Sequence, residues 1–292
     1  MFCRHNRFEH KCPICSREKA AATRPARTPA SRTSGARRTG KSRSVHRPAG
    51  VVTRKLARAA DDGYRNDLVP GIKATADAER LAGALAFAAD RLEFPGPYPE
   101  VAEAAEQGVE EATWLAFLLA LAGAERSEPV LAAPPAWDGG QESGLGADAD
   151  RTVAAYRAHI ARAGSQAAAF TGEPGWTPQR RFARNFERLA LPGFHRAQRY
   201  DLLTALGAAG VYELEPDALH VGENDATTVA AKRALIAGDM MFLERRARAL
   251  AAGVGVPIAA LDRGLALWDS TADIPVVEGE TLERIRAALH IA

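Results

Sequence analysis

The sequence has little cysteine: three residues in 292, Cys3, Cys12 and Cys15, all within the first fifteen positions. An odd number, with none in the body of the chain, excludes a disulfide framework. A long apolar run is missing as well. The longest, Ala112 to Ala124 with Thr113 inside it, falls short of the roughly 18 to 20 residues a membrane span needs, and predicts a buried helix instead. The charges that begin at Arg4 are followed by no apolar h-region and no small-residue cleavage site, so no secretory signal is expected; a cytoplasmic protein with no membrane partner follows. Strand-like segments are scarce too: Val211 to Leu214 and Leu219 to Val221 suffice only for a small hairpin. No internal repeat is visible.

What is present is the composition of a core-forming chain, 47% apolar and 25% charged, which excludes wholesale disorder, collagen and fibre. The net charge of +2 hides a division. Residues 1 to 60 hold 16 Lys and Arg against two acids, Glu9 and Glu18, a net of +14, which leaves −12 for residues 61 to 292. Three regions are expected: a Cys/His cluster over 1–16, a basic linker over 17–50 without large apolar residues to bury, and a helical domain over 51–292. Apolar periodicity predicts helices at 52–62, 75–93, 109–123, 148–163, 178–190, 195–207, 225–237, 240–252, 256–268 and 280–290. Pro129 to Gly146 reads as an exposed loop and a candidate subdomain boundary. The fold class expected is all-α.

In the first region Cys3-Arg4-His5 is followed by Cys12-Pro13-Ile14-Cys15, enough ligands for one tetrahedral zinc. A CxxC turn lets two thiolates reach one ion, with His5 or alternatively His10 as the fourth ligand. A knuckle too small to own a core would gain its folding energy from the metal. With four protein ligands and no open position, such a site is structural. The basic linker beside it could neutralise phosphates and release counterions, so nucleic acid is the expected partner.

The helical domain carries further basic groups. In the segment from Trp176 to Leu189, Phe182, Phe186 and Leu189 fall on one face, and Arg180, Arg181, Arg184 and Arg188 crowd the rest. The chain then runs through Leu191-Pro192-Gly193-Phe194-His195-Arg196 into an apolar helix with Leu202, Leu203 and Leu206. This is the outline of a helix-hairpin-helix, in which backbone N–H groups at the head of the second helix face a DNA phosphate. Gly193, His195 and Arg196 are the expected phosphate-facing residues, although His195 stands where a second hairpin glycine is usual. Gly253-Val254-Gly255-Val256-Pro257 is a second candidate hairpin, with Pro257 in the first helical turn. Either could equally be a plain connection between two helices. Asp239, before Met240, is expected to be an N-cap; placed after the hairpins, it is also a candidate base or electrostatic stabiliser for a flipped nucleotide. Lys232, Arg233 and Arg245 around it could stabilise a phosphate leaving group. Asp262-Arg263 reads as a structural pair closing the core.

Taken together, the stretches WTPQRRFARNFERLALPGFHRAQRYDLLTALG, AAKRALIAGDMMFLERRARALA and PIAALDRGLALW, with EEATWLAFLLALAG in front, resemble the alpha-glutamyl/putrescinyl thymine pyrophosphorylase family, clade 3, a branch of the helix-hairpin-helix DNA glycosylase superfamily. The resemblance covers about residues 51 to 290. It implies a glycosylase-like helical fold. The implied reaction displaces pyrophosphate from a 5-pyrophosphomethyl-uracil base in DNA with a small amine co-substrate, with Asp239 as the acidic residue. The alternative is a zinc-knuckle protein that binds nucleic acid without catalysis.

Overall fold

The computed structural model describes residues 58–123, 127–138, 143–222 and 224–291. The proposed zinc ligands Cys3, His5, Cys12 and Cys15, and the basic linker, lie outside them. Among the described residues there are α-helices and no strand: α1 (Thr75–Asp90), α2 (Pro99–Gln107), α3 (Val109–Ala122), α4 (Ser127–Ala132), α5 (Ala147–Ala163), α6 (Gln166–Thr171), α7 (Pro178–Arg188), α8 (Arg196–Ala208), α9 (Ala226–Leu235), α10 (Met240–Val254), α11 (Ile258–Trp268) and α12 (Glu280–Ala288). The all-α expectation holds.

The periodic segments form helices where their apolar residues recur at three and four, and polar side chains start several of them. Ser165, Thr177, Asp225 and Asp239 each accept an N–H from the first turn of the helix that follows, satisfying donors that no helical carbonyl reaches. Two expectations fail for local reasons. Residues 58–62 are not helical, because Asp62 accepts the Tyr64 and Thr75 N–H groups at 3.0 and 2.9 Å and so caps α1 instead of extending a helix of its own. The strand-like pieces form no hairpin: Val211 N–H turns back to Leu206 O at 3.0 Å, and Leu219 and Val221 N–H both donate to the Glu244 carboxylate at 2.8 Å. Groups a ladder would use are already engaged.

Two apolar cores divide this body. An outer lobe gathers both ends of the described chain, Tyr64 to Ile72 and α1 with α9 to α12, and an inner lobe is built from α2 to α8. In the outer lobe α11 lies close on α1, and the bare backbone of Gly264 makes this possible: a Cβ there would come within 2.6 Å of Leu85 Cδ2. Tyr64 Oη and Asn66 Nδ2 donate to Leu289 O and Ala288 O at 2.6 and 3.1 Å, closing the start of the lobe onto the end of α12. The centre of the inner lobe is α3, which is buried on nearly every side and accordingly apolar on nearly every side. Its Phe117 ring stacks on Tyr156 at 3.8 Å and touches Phe194 at 5.2 Å. Residues of the Pro129 to Gly146 segment join this lobe, with Val130 buried and Trp137 set edge-on to Trp114 at 5.1 Å. The boundary between cores lies instead where the chain crosses, between α1 and α2 and between Leu214 and Leu219.

Candidate functional site

Arg196 opens α8 in the inner lobe and is only 1% exposed. Its Nε donates to Asp225, Nη1 to Leu219 O at 2.6 Å, and Nη2 to Asp262 Oδ1 at 2.7 Å, all in the outer lobe. A guanidinium buried this way needs its fork filled. Arg196 is therefore a clasp between lobes, not a surface phosphate ligand. Asp262 is structural as expected, although its partner is Arg196 and not its neighbour Arg263, which is exposed.

The hairpin ahead of Arg196 is held from below. Phe194 is buried in the inner core at 2% exposure. Gly193 takes φ +78°, where an L side chain is strained, and a Cβ on it would stand 2.3 Å from Thr152 Oγ1. Thr152 in turn donates to Pro192 O at 3.0 Å. His195 is exposed, and its N–H donates to Gln198 Oε1 at 2.9 Å. The Leu-Pro-Gly turn thus owes its glycine to close packing on α5, while Gly193 and His195 line an open groove beside it together with Asp148, Arg151 and Gln198. The second candidate turn is covered. A Cβ on Gly253 would strike Leu68 at 2.9 Å, and Arg284 donates to Gly255 O at 3.1 Å. Pro257 precedes α11 as its N-cap and does not lie within its first turn.

Of the α7 arginines, Arg181 is buried and donates to Thr171 O, Glu213 O and Trp176 O, tying the end of α6, the α6–α7 loop and the loop after α8 together. It is no surface group. Arg180, Arg184 and Arg188 remain exposed and, spaced by four, form one stripe along the helix. Arg180 and Arg188 lie against Trp176 at 5.6 and 5.2 Å from its ring centre, and Arg184 pairs with Glu187 at 3.0 Å.

The group expected to do chemistry lies at the end of α9 and the start of α10, outside both concave surfaces. Asp239 is the exposed N-cap of α10, accepting Phe242 N–H at 2.9 Å. Lys232 is exposed, Arg233 is held by Asp269 at 2.6 and 2.7 Å, and Arg245 lies over the Phe242 ring at 4.8 Å. None of these four lines the cavity between the lobes or the groove at the hairpin.

That cavity holds about 370 Å³, within the range of small-molecule sites. Phe87, Leu92, Ala120 and Ala266 contribute apolar walls, and α8 supplies Asp201 and Gln198. Tyr98 Oη donates to Asp201 Oδ2 at 2.7 Å. Burial pushes the Asp201 carboxyl above the ordinary carboxylate range; the Tyr98 hydrogen bond and the guanidiniums of Arg263 and Arg91 pull the other way without cancelling it. Burial, reinforced by the Asp201 charge, drives the Tyr98 phenol far above its usual range, so it stays a donor. A carboxyl raised by desolvation in a cleft, with two exposed guanidiniums on the same wall, suits proton transfer next to an anion. Gln198 lines both this cavity and the hairpin groove, so the two adjoin.

Asp201, Tyr98, Arg91 and Arg263 were not among the residues expected from the sequence. Tyr98 and Asp201 are 103 positions apart, so no local spacing could join them. The one signal is an acid set between Tyr200 and Leu202, which are buried, in a helix whose other charged residues are basic. No family model matches this chain, and neither a curated protein nor a solved structure matches it.

Proposed function

We propose that this protein modifies a base of DNA, with the interlobe cavity receiving the base and the hairpin groove and α7 stripe receiving the backbone beside it. The observation that carries the reading is the cavity itself: a desolvated carboxyl, Asp201, held by Tyr98, shares a wall with Arg91 and Arg263 and adjoins the hairpin through Gln198. The reaction implied by the family resemblance suits such a site. Nitrogen of a small amine forms a bond to the 5-methylene carbon of the uracil, the carbon–oxygen bond breaks, and its electron pair leaves on pyrophosphate. The proton lost by nitrogen goes to Asp201 and then to solvent. Arg91 and Arg263 offset the charge that grows on the leaving group, and Tyr98 holds the Asp201 carboxylate in place. Cys3, His5, Cys12 and Cys15 would hold a structural zinc next to the basic linker, adding contacts to phosphate.

Turnover on oligonucleotides carrying the pyrophosphate ester of 5-hydroxymethyluracil, followed by mass spectrometry with candidate amines, tests this. Asp201→Asn is expected to lose activity by about 10²-fold or more while DNA binding persists. Asp239→Asn should retain activity, since Asp239 caps a helix away from the cavity. The reverse pattern would return the chemistry to Asp239, and binding without turnover in the unsubstituted protein would leave a non-catalytic DNA-binding protein.

A further inference from the structure

The corner between α9 and α10 exposes apolar side chains that the fold does not use. Met241 is 83% exposed, Ile236 59% and Met240 44%, all within six consecutive residues. Single exposed apolar residues are ordinary, but a cluster on one tip marks a contact surface. Ile236 adds a second anomaly. It takes φ +47° as the C-cap of α9, a left-handed conformation that suits glycine or asparagine and strains a β-branched residue. At 59% exposure its side chain recovers little from burial to offset that strain.

The surroundings are basic. Lys232 and Arg245 are exposed, and Arg246 lies against Phe242 while donating to Leu235 O at 2.8 Å. The corner's own acid is Asp239, occupied as a cap; Glu244 is turned away, engaged with Leu219 and Val221 N–H groups. An apolar point ringed by cations fits a polyanion that presents an apolar surface between its charges, as a DNA base step does between phosphates. A lipid surface would require a continuous apolar helix face, whereas the opposite side of α10, through Leu243, Ala247 and Leu250, is buried in the outer core.

The position in the fold points the same way. The start of α9, at Ala226 and Thr227, lines the interlobe cavity, and its other end carries the tip. Ten residues of helix separate them by about 15 Å, comparable to the roughly 12 Å width of a DNA major groove. The corner and the cavity are therefore about one groove width apart along α9.

We propose that Ile236, Met240 and Met241 form a wedge that inserts at an opened or kinked base step in DNA, with Lys232 and Arg245 on the flanking phosphates. The inference rests on the base-modification reading, because it takes the cavity as the place where the DNA is engaged. Apolar wedges of this kind unstack a step and hold the duplex bent.

The test compares the full-length protein with the triple variant Ile236→Asn, Met240→Gln, Met241→Gln on a labelled duplex with one mismatched pair and 2-aminopurine next to it. Native protein is expected to bind and to raise 2-aminopurine fluorescence by unstacking it. The variant is expected to bind about tenfold more weakly, with the same dependence on salt and no fluorescence rise. Its thermal midpoint should be unchanged or higher, since asparagine relieves the left-handed position, so weaker binding would not reflect unfolding. Equal affinity and equal fluorescence in the two proteins would overturn the wedge while leaving the base-modification reading intact. Failure of the native protein to bind DNA at all would overturn both. Sedimentation with anionic phosphatidylserine vesicles that is lost in the variant, with DNA binding unaffected, would also overturn it, assigning the tip to a membrane.

Discussion

His220 takes φ +52° and lays its ring on Phe186 at 4.4 Å, with its Nε2 buried and lacking a hydrogen-bond partner among the described residues. Burial pushes the imidazole below its ordinary value of 6.5, and Glu244 and Asp217 only partly restore it. The unfolded chain therefore takes up this proton first as pH falls. The stability His220 contributes is present above pH 6.5 and declines below it, through the lower folded value. His159 is shifted the same way, again chiefly by burial. Asp201 acts in the opposite sense: its folded carboxyl holds a proton that the unfolded one has lost, so its contribution is present below pH 3.8 and disappears as pH rises through the folded value. Thermal unfolding should thus move to lower temperature between about pH 7 and pH 5, and His220→Asn, which suits a left-handed position, should remove part of that fall. A midpoint rising over the same interval would contradict the burial argument. Single residues were also where the sequence was least legible. Arg181 and Arg196 look like surface cations beside Arg180 and Arg184, yet both are buried because carbonyls and carboxylates from distant segments converge on them. Asp201 looks like an isolated acid and lies in the cavity.

At the scale of the element, α7 separates two roles that its sequence runs together. The stripe Arg180, Arg184 and Arg188 faces solvent, whereas Phe182, Phe186 and Arg181 face the lobe. If the stripe follows a DNA backbone, replacing its three arginines by glutamine weakens binding equally for all sequences. It also flattens the plot of log affinity against log salt by about one unit for every phosphate that is no longer neutralised. An unchanged slope would remove α7 from the interface. The longer helices were legible because two or more turns of apolar periodicity announce them. The six-residue helices α4 and α6 were not, nor was α2, which is as long as α12 but buries Val101 alone and so shows no apolar period. Helix α6 has six residues, too few to display a period, and its first N–H groups are satisfied by Glu110 from α3 at 3.0 and 2.9 Å. The cap supplied by Glu110 leaves no mark in the local sequence, and the local cap, Ser165, stands before too few residues to announce a helix.

At the scale of the molecule, the division into two cores was illegible, because both are alanine- and leucine-rich and the outer one draws on segments from either end of the chain. The all-α class survived this gap, since it depends on local periodicity alone. What holds the lobes in register at the cavity is the Arg196 clasp, with Asp262 on both the clasp and the cavity wall. Arg196→Met would leave Asp225 and Asp262 buried without their cation, and a loss of about 3 to 5 kcal/mol in stability to urea is expected. A loss under about 1 kcal/mol, the usual value for an exposed pair, would show that the lobes do not depend on it. The outer lobe has one more consequence. Since Tyr64 and Asn66 close on the final turn of α12, the described chain is topologically a ring cut at a single seam. Its spatial order does not require the cut to be there, and a circular permutant opened in the exposed turn at Gly144–Gly146, its old ends linked across the seam, would present the same two cores and the same cavity in a different order of synthesis.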